Sequence, residues 1–562
     1  LAARFQLLVN VTKRPYDYDI AIGLFEAALS CPLKSELAYL GLSTSLRLRQ
    51  SEASTLGNKD LRSALKALEF GLAQLTAPVQ IRIRYGVHAA KVALQLDDAD
   101  RAVALSKEVL GFLPTVHYPL KDRSNIEYTL KSLQGFDAIA AAAVLKAGYP
   151  AARAIESNEA ARGVIAKLTL LEMEKSDVSS NDRLDYTTLT EQKLDPKAPD
   201  VIEISRGMII IDFAVSDSEC FAIILRNRRI RHIGLPELQL KHLQEAAKDI
   251  AGPTPISLPR EGNEQERNGR LLRLLLWLWK AVVKPILSTE ALLRRKDDTD
   301  PLPRVCWISS GLMGLMPFHA AGDDNLGSME NTMDHAVSSY VPSLRILQHA
   351  RARKRQLRRL EKPRALFIGA AKVVGYDDLS TSVSADRQVM QQYYPDVDVL
   401  LSPPAEEALA NMQLANICHC TCHGEMDPKD PSNGRLVLGS DPAAFLTIKT
   451  LSSHCLANMH LIYLAACSTA ENGAEELLTQ VVHLASAFQL VGFPHVIASL
   501  WPSLATPSSF VVKRFYSELA HLKDYGLDGI GLALHRSVAD LRREWRNDPL
   551  AWVPFVHFGP DC

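Results

Sequence analysis

From about residue 200 onward the apolar residues arrive in short runs rather than at helical spacing. "MIIIDFAV", "CFAIILR", "RVCWISS", "RALFIGA", "VDVLLS", "NICHCTC", "HLIYLAAC" and "HVIASLW" are rich in Val, Ile, Leu and aromatic residues. Several are apolar throughout, as strands covered on both faces must be. Stretches with helix-like spacing separate them. Strands alternating with helices pack as an α/β/α sandwich around a mainly parallel sheet. In such a sheet reactive groups stand just past the carboxyl ends of the strands.

The first 173 residues follow a different rule. They are rich in Ala and Leu at three- and four-residue spacing, with no period-2 strand pattern. A pattern recurs within them: Ala21, Phe25, Ala28 and Pro32; Ala64, Leu68, Gly71 and Pro78; Ala102, Ser106, Val109 and Pro114. Small residues at these offsets let neighbouring helices approach closely, and the proline ends a helix. The copies start about 40 residues apart, against roughly 34 for a tetratricopeptide repeat. The region resembles a degenerate tetratricopeptide array. The expected organisation is a helical repeat array over 1–173, a polar linker over 174–200, and the α/β/α domain over 201–562.

A chain of 562 residues exceeds what one hydrophobic core supports. Its formal net charge of −1 gives no global pull toward nucleic acid or anionic membrane. Nine cysteines with no framework spacing, and an opening on Leu1 without a signal peptide, lead us to expect a cytoplasmic fragment of a longer polypeptide. The segment "LLRLLLWLWKAVVKPIL" (271–287) is short for a membrane span, and Arg273, Lys280 and Lys284 interrupt it. A buried helix with snorkelling basic side chains is expected there.

Two stretches carry chemistry. "NICHCTCHGE" reads as a strand with His423 at its carboxyl end, breaking at Gly424. "HLIYLAACSTA" reads as a strand whose end presents Cys467. A histidine and a cysteine at the ends of two adjacent strands form a nucleophile–base pair. The imidazole takes the thiol proton and later protonates the leaving amine. Gly424 lets the substrate approach the backbone, and its N–H with that of Cys467 would form an oxyanion hole.

The order of "TCHGEMDPKDPSNGRLVL", "LIYLAACSTA", "VVHLASAFQLVGFPHVIASLWP" and "DPLAWVPFVHFG" resembles that of CHAT domains. These are caspase-like peptidase domains usually attached to tetratricopeptide repeats. "WISSGLMGLMPFHAAG", "SSYVPSLRIL" and the "ESNEAARGVI" helix extend the likeness, whose wording is closest to the fungal type. The resemblance implies an α/β/α caspase-like sandwich and a catalytic dyad of His423 and Cys467. It further implies a cysteine endopeptidase, regulated by its helical repeats, acting in programmed cell death or immunity-like signalling. The alternative is a catalytically silent scaffold that works by protein–protein contact. Relatives often carry an acid after the "LWP" strand, where this chain has Leu504, Ala505 and Thr506, so the preference for a basic residue at the cleavage point is open.

The cluster "CHCTCHGE" (418–425) looks like a metal site. Alternation on a strand puts Cys418, Cys420 and Cys422 on one face and His419, Thr421 and His423 on the other. One extended segment does not wrap these ligands around one ion, whereas structural zinc takes paired ligands from separate turns. We expect no metal and no cofactor, with the cysteines as core fillers and His419 as a packed histidine. Cys220 and Cys306 read as core, and His454, His460, His483 and His557 as structural. The basic run "RARKRQLRRLEKPR" (351–364) reads as a solvated connecting helix, and it lacks the aromatics that stack bases. A protein substrate and regulatory proteins are the expected partners, with no nucleic acid and no membrane span.

Overall fold

A computed structural model describes residues 15–30, 38–52, 58–113, 133–174, 204–251, 264–425, 433–465 and 485–560, apart from short interruptions. Two compact units emerge: residues 1–164 with 214–220, and residues 165–213 with 221–562. The expected linker at 174–200 lies almost wholly outside the described residues.

The first unit is helical: α1 (Pro15–Ser30), α2 (Ala38–Glu52), α3 (Lys59–Leu72), α4 (Val79–Gln95), α5 (Ala99–Phe112), α6 (Phe136–Lys146) and α7 (Ala151–Glu174). From α1 to α6 each packs on the next. The repeated positions face inward, with Ala21, Phe25, Ala64, Leu68, Ala102, Ser106 and Val109 all buried. A Cβ added at Gly41 would meet the Phe25 ring at 2.2 Å, and one at Gly71 the Tyr85 ring at 2.8 Å. Glycine at these points is therefore a packing requirement. Asp98 caps α5 by accepting from the Arg101 N–H at 3.0 Å. The buried Arg162–Asp137 pair, 2.9 Å apart, ties α7 to α6.

The second unit is built on an eleven-stranded sheet. Its strands are β1 (Ile209–Val215), β2 (Cys220–Arg226), β3 (Arg229–Gly234), β4 (Arg304–Ile308), β7 (Val337–Val341), β8 (Ala365–Gly369), β9 (Asp398–Leu401), β10 (Ile417–Thr421), β14 (Leu461–Ala465), β15 (His495–Ser499) and β16 (Phe555–Phe558). Two short strands, β5 (Gly322–Asp323) and β6 (Glu330–Asn331), pair separately. A small antiparallel sheet joins β11 (His423–Glu425), β12 (Arg435–Val437) and β13 (Phe445–Thr447). The main order is β3-β2-β1-β4-β7-β16-β15-β14-β10-β8-β9. All eight apolar runs are strands of this sheet, and β3, β7 and β16 complete it. The fold is thus N-terminal helices followed by a mostly parallel sheet with helices, as in caspase-like peptidases.

Besides the antiparallel β2–β3 pair at one edge, the sheet reverses direction near its centre. β15 and β16 are antiparallel, with Val496 opposite Phe558 and Ser499 opposite Phe555. On one side β15, β14, β10, β8 and β9 run together; on the other β16, β7, β4 and β1 run together in the opposite sense. The core strands are buried along their length, including all of β8, β10 and β15.

The apolar segment at 271–287 forms a helix (Glu264–Leu278), a π-helical turn (Trp279–Val283) and a short helix (Lys284–Thr289). Arg273 and Lys280 reach solvent, and Lys284 pairs with Glu330 at 2.8 Å. No helix among the described residues is long and apolar enough to cross a membrane. The basic run departs from expectation. Part of it belongs to α8 (Leu344–Gln356), and Arg351 and Arg353 on that helix are buried rather than solvated. Arg351 donates to the Arg206 carbonyl at 2.7 Å, so its charge is used inside the fold.

Candidate active site

β10 lies between β8 and β14, in register from Ile417 to Thr421. Thr421 sits opposite Gly369 on one side and Ala465 on the other. β8 ends there, so beyond Thr421 the backbone has lost its ladder with β8 and must find partners elsewhere. It turns at Cys422 and enters β11, where His423 pairs with Val437 and Gly424 with Leu436. His423 therefore does not continue the strand that holds His419, contrary to the sequence reading. The break falls two residues earlier than expected, where the ladder with β8 ends.

His423 is nearly buried, and its Nε2 lies 3.0 Å from the Asp377 carbonyl oxygen. A carbonyl only accepts, so Nε2 carries the proton, and in the neutral ring Nδ1 is the basic nitrogen. The Tyr376 ring lies against the imidazole, centroids 4.8 Å apart. Burial, and then the neighbouring Glu425 carboxylate, raise the Tyr376 phenol above its ordinary value. Arg435 holds Glu425 at 2.6 Å and lies over the Phe445 ring at 4.2 Å, which fixes the small sheet from beneath.

The loop that carries Asp377 is itself pinned. The Leu379 N–H donates to the Ala371 carbonyl at 2.8 Å, and the Val374 N–H to the Ser440 hydroxyl at 3.0 Å. Gly375 takes φ +88°, a turn that a side chain would strain. Asp378 then accepts from the Ser380 N–H at 2.8 Å at the start of α9 (Ser380–Tyr393). One imidazole nitrogen is thus held by a rigid carbonyl, which sets the ring's orientation. Gly424, next along, is half-buried and presents no side chain.

Cys467 lies outside the described residues. Its strand, β14, is described as far as Ala465, the partner of Thr421. His423 and Cys467 thus each follow that register pair by two positions in the sequence. Sequence reading missed Tyr376, the Asp377 carbonyl and the Glu425–Arg435 pair. "GYDDLS" offers no motif for them, because a backbone carbonyl leaves no trace in side-chain identity.

The neighbouring cysteines are core. Cys418, Cys420 and Cys422 are buried, and the Cys418 and Cys420 sulfurs lie 3.6 Å apart on one face. The neighbouring Cys418 and then burial push the Cys420 thiol well above its ordinary value, which keeps it protonated. Cys220 and Cys306 are likewise buried. His460 and His557 are buried, and the His454 ring bonds the Thr450 carbonyl one helical turn back. Cys31, Cys455, Cys562 and His483 fall outside the described residues.

A caspase-like peptidase fold with a carbonyl-oriented histidine at a strand end is therefore in place. The CHAT domain model matches residues 272–560, just over half of the chain, and the chain belongs to the CHAT domain family. No curated protein matches it. Among solved structures it is similar to the Saccharomyces cerevisiae separase of two separase–securin complexes, at 11% and 12% identity with TM-scores of 0.56 and 0.58. These alignments cover 99% of this chain but only 47% and 46% of the separase chain, so this chain spans about half of that protein. At such identity the likeness is one of fold. The Arg specific cysteine proteinase gingipain R overlaps less, with a TM-score of 0.36 at 12% identity over 53% of this chain and 75% of its own.

Proposed function

We propose that the chain is a cysteine endopeptidase of the caspase-like clan, in which Cys467 attacks the scissile carbonyl and His423 is the base. The observation that carries this reading is the His423 hydrogen bond to the Asp377 carbonyl, which leaves Nδ1 as the proton acceptor. In acyl transfer, the Cys467 thiol gives its proton to Nδ1 as sulfur bonds the carbonyl carbon. The imidazolium returns that proton to the departing amine. Water then cleaves the thioester, releasing the acid and restoring the thiol. Gly424 and Cys467 N–H groups would hold the oxyanion. The N-terminal helices, read as a tetratricopeptide-like array over 1–173, would bind regulators or substrates in a cytoplasmic setting. The fungal-type wording of the motifs and a role in programmed cell death belong to the same proposal.

The deciding experiment compares new protein termini formed by the wild-type chain and by Cys467→Ala in cells. Termini that depend on Cys467 are expected. Full signalling by Cys467→Ala, with no dependent termini, would make the chain a silent scaffold instead.

A further inference from the structure

The reversal between β15 and β16 brings a second feature to the edge of the sheet that carries the β10 and β14 carboxyl ends. β4 and β7 run against β10, so this edge holds their amino ends, where Arg304 pairs with Val337. Arg304 lines a cavity of about 700 Å³ together with Arg514 of α10 (Ala505–His521) and with Arg536, Arg542, Arg543 and Arg546 on or just past α11 (Ile530–Glu544). Against these six arginines stand three carboxylates, Asp334, Glu518 and Asp540, so the wall carries a surplus of positive charge.

The arrangement of the charges matters more than their number. Glu518 and Asp540 are 12% and 17% exposed, while Arg536 and Arg543 are 53% and 72% exposed. Arg514 bridges to Asp540 at 2.6 Å and to Glu518 at 3.0 Å, Arg536 reaches Glu518 at 3.1 Å, and Arg543 pairs with Asp540. The acids thus lie beneath and orient the guanidiniums, which point outward. Arg542 forms the floor, tied to Asp334 at 3.0 Å and placed over the Trp552 ring. His535 in the same wall is lowered to about 4, by burial first and then by Arg304, Arg542 and Arg536.

β4 and β10 are five strand intervals apart in the sheet order. At about 4.8 Å per interval this is roughly 24 Å along the edge, the length of about seven extended residues. An extended substrate crossing His423 along this edge would span the distance to the arginine cavity. We propose that the cavity docks an acidic stretch of the protein substrate, about seven residues or more from the cleaved bond. Oriented guanidiniums match carboxylates two bonds at a time, and a one-signed cleft raises the local concentration of acidic partners. The proposal rests on the peptidase reading for the word substrate, but the binding it describes does not need catalysis.

The test therefore uses full-length Cys467→Ala protein and fluorescence anisotropy. The probes are a fluorescein-labelled eight-residue polyglutamate peptide and a glycine–serine peptide of equal length. Selective binding of the acidic peptide is expected, weakening as salt is raised. The pair Arg536→Glu and Arg543→Glu should weaken it about tenfold or more, and Arg536→Gln with Arg543→Gln by a smaller factor. Equal affinity for both peptides, or unchanged affinity in the charge-neutral pair, overturns the proposal. Binding of inorganic tripolyphosphate without binding of the peptide overturns it in favour of a small-anion site. In the terminus comparison, Cys467-dependent cuts without acidic residues at this spacing refute docking while leaving the peptidase intact. Peptide binding with no Cys467-dependent cuts removes the substrate role and the peptidase reading together, leaving an acidic-partner surface.

Discussion

Two histidines four positions apart on the same stretch of chain have opposite surroundings. His419 is fully enclosed, stacked on Tyr463 at 4.8 Å and on Phe367 at 5.7 Å between ring centroids. Its Nδ1 meets the Tyr516 hydroxyl at 3.0 Å, and its Nε2 the Thr421 hydroxyl at 3.1 Å. Thr421 donates to Asp386 at 2.9 Å, so it accepts from Nε2, and Nδ1 in turn accepts from Tyr516. Both ring nitrogens are spent. His423 spends one nitrogen on the Asp377 carbonyl, and among the described residues no hydrogen bond engages the other, the base of the proposed mechanism. Residue type is the same, and the difference is made by where the ladder with β8 stops. A histidine inside the ladder becomes part of the core, and one beyond it becomes a candidate base.

Breaking the comparison at its reactive end should give the largest effect. His423→Ala and Cys467→Ala should each lower peptidase turnover by roughly several powers of ten, and the double variant little more, since the pair acts as a unit. Limited iodoacetamide labelling followed by peptide mapping should show Cys467 reacting first in the activated chain and more slowly in His423→Ala. If the double variant loses the summed effect of the single ones, the two residues act separately.

Acid should next expose the buried histidines. His319 and His460 are lowered to about 4 by burial, as is His349, where burial is joined by Arg353. The unfolded chain binds protons below about pH 6.5, whereas these folded groups do not until about pH 4. Their contribution is intact above 6.5 and is lost as pH falls from there toward 4. The loss is on the order of 1 kcal/mol per histidine per pH unit. Denaturant midpoints measured from pH 7 to 4.5 should fall steadily, and a flat profile would contradict the burial of these rings.

At the enclosed end, His419→Ala should cost roughly 3 kcal/mol of stability, through lost stacking and unpaired Tyr516 and Thr421 groups. Equilibrium unfolding measures it, and His423→Ala in the same assay should cost distinctly less. Cys418→Ala should give the smallest effect, about 1 kcal/mol from lost packing, with Cys467 labelling unaltered. A stoichiometric metal lost from that variant would instead reassign the thiol face.

Much of this was legible from residue order. All-apolar runs of strand length announce a doubly covered sheet, since only strands buried on both faces can dispense with polar alternation, and all eight proved to be strands. The inward Ala and Gly positions of α1 to α5 were readable for a similar reason, because close helix approach tolerates few residue types. β7 and β16 were not read as strands. "VSSYV" carries two serines, and "FVHF" is too short to stand out from its surroundings, so only pairing within the sheet makes them strands. The basic run was misread because charge in a sequence says nothing about a carbonyl waiting inside the fold, such as that of Arg206.

The sequence by itself determined the class of sheet and the helical character of the first unit, and it named the two positions, His423 and Cys467, on which the proposed chemistry rests. These are matters of residue type and local spacing, and each residue carries that information alone. The tertiary structure alone decided which way the His423 ring is protonated, that His419 is spent in the core, and that the arginines of β4, α10 and α11 share an edge with the strand end leading to His423. Those depend on where the ladder of β10 with β8 ends and on the reversal between β15 and β16, relations between segments far apart in the chain that no single segment encodes.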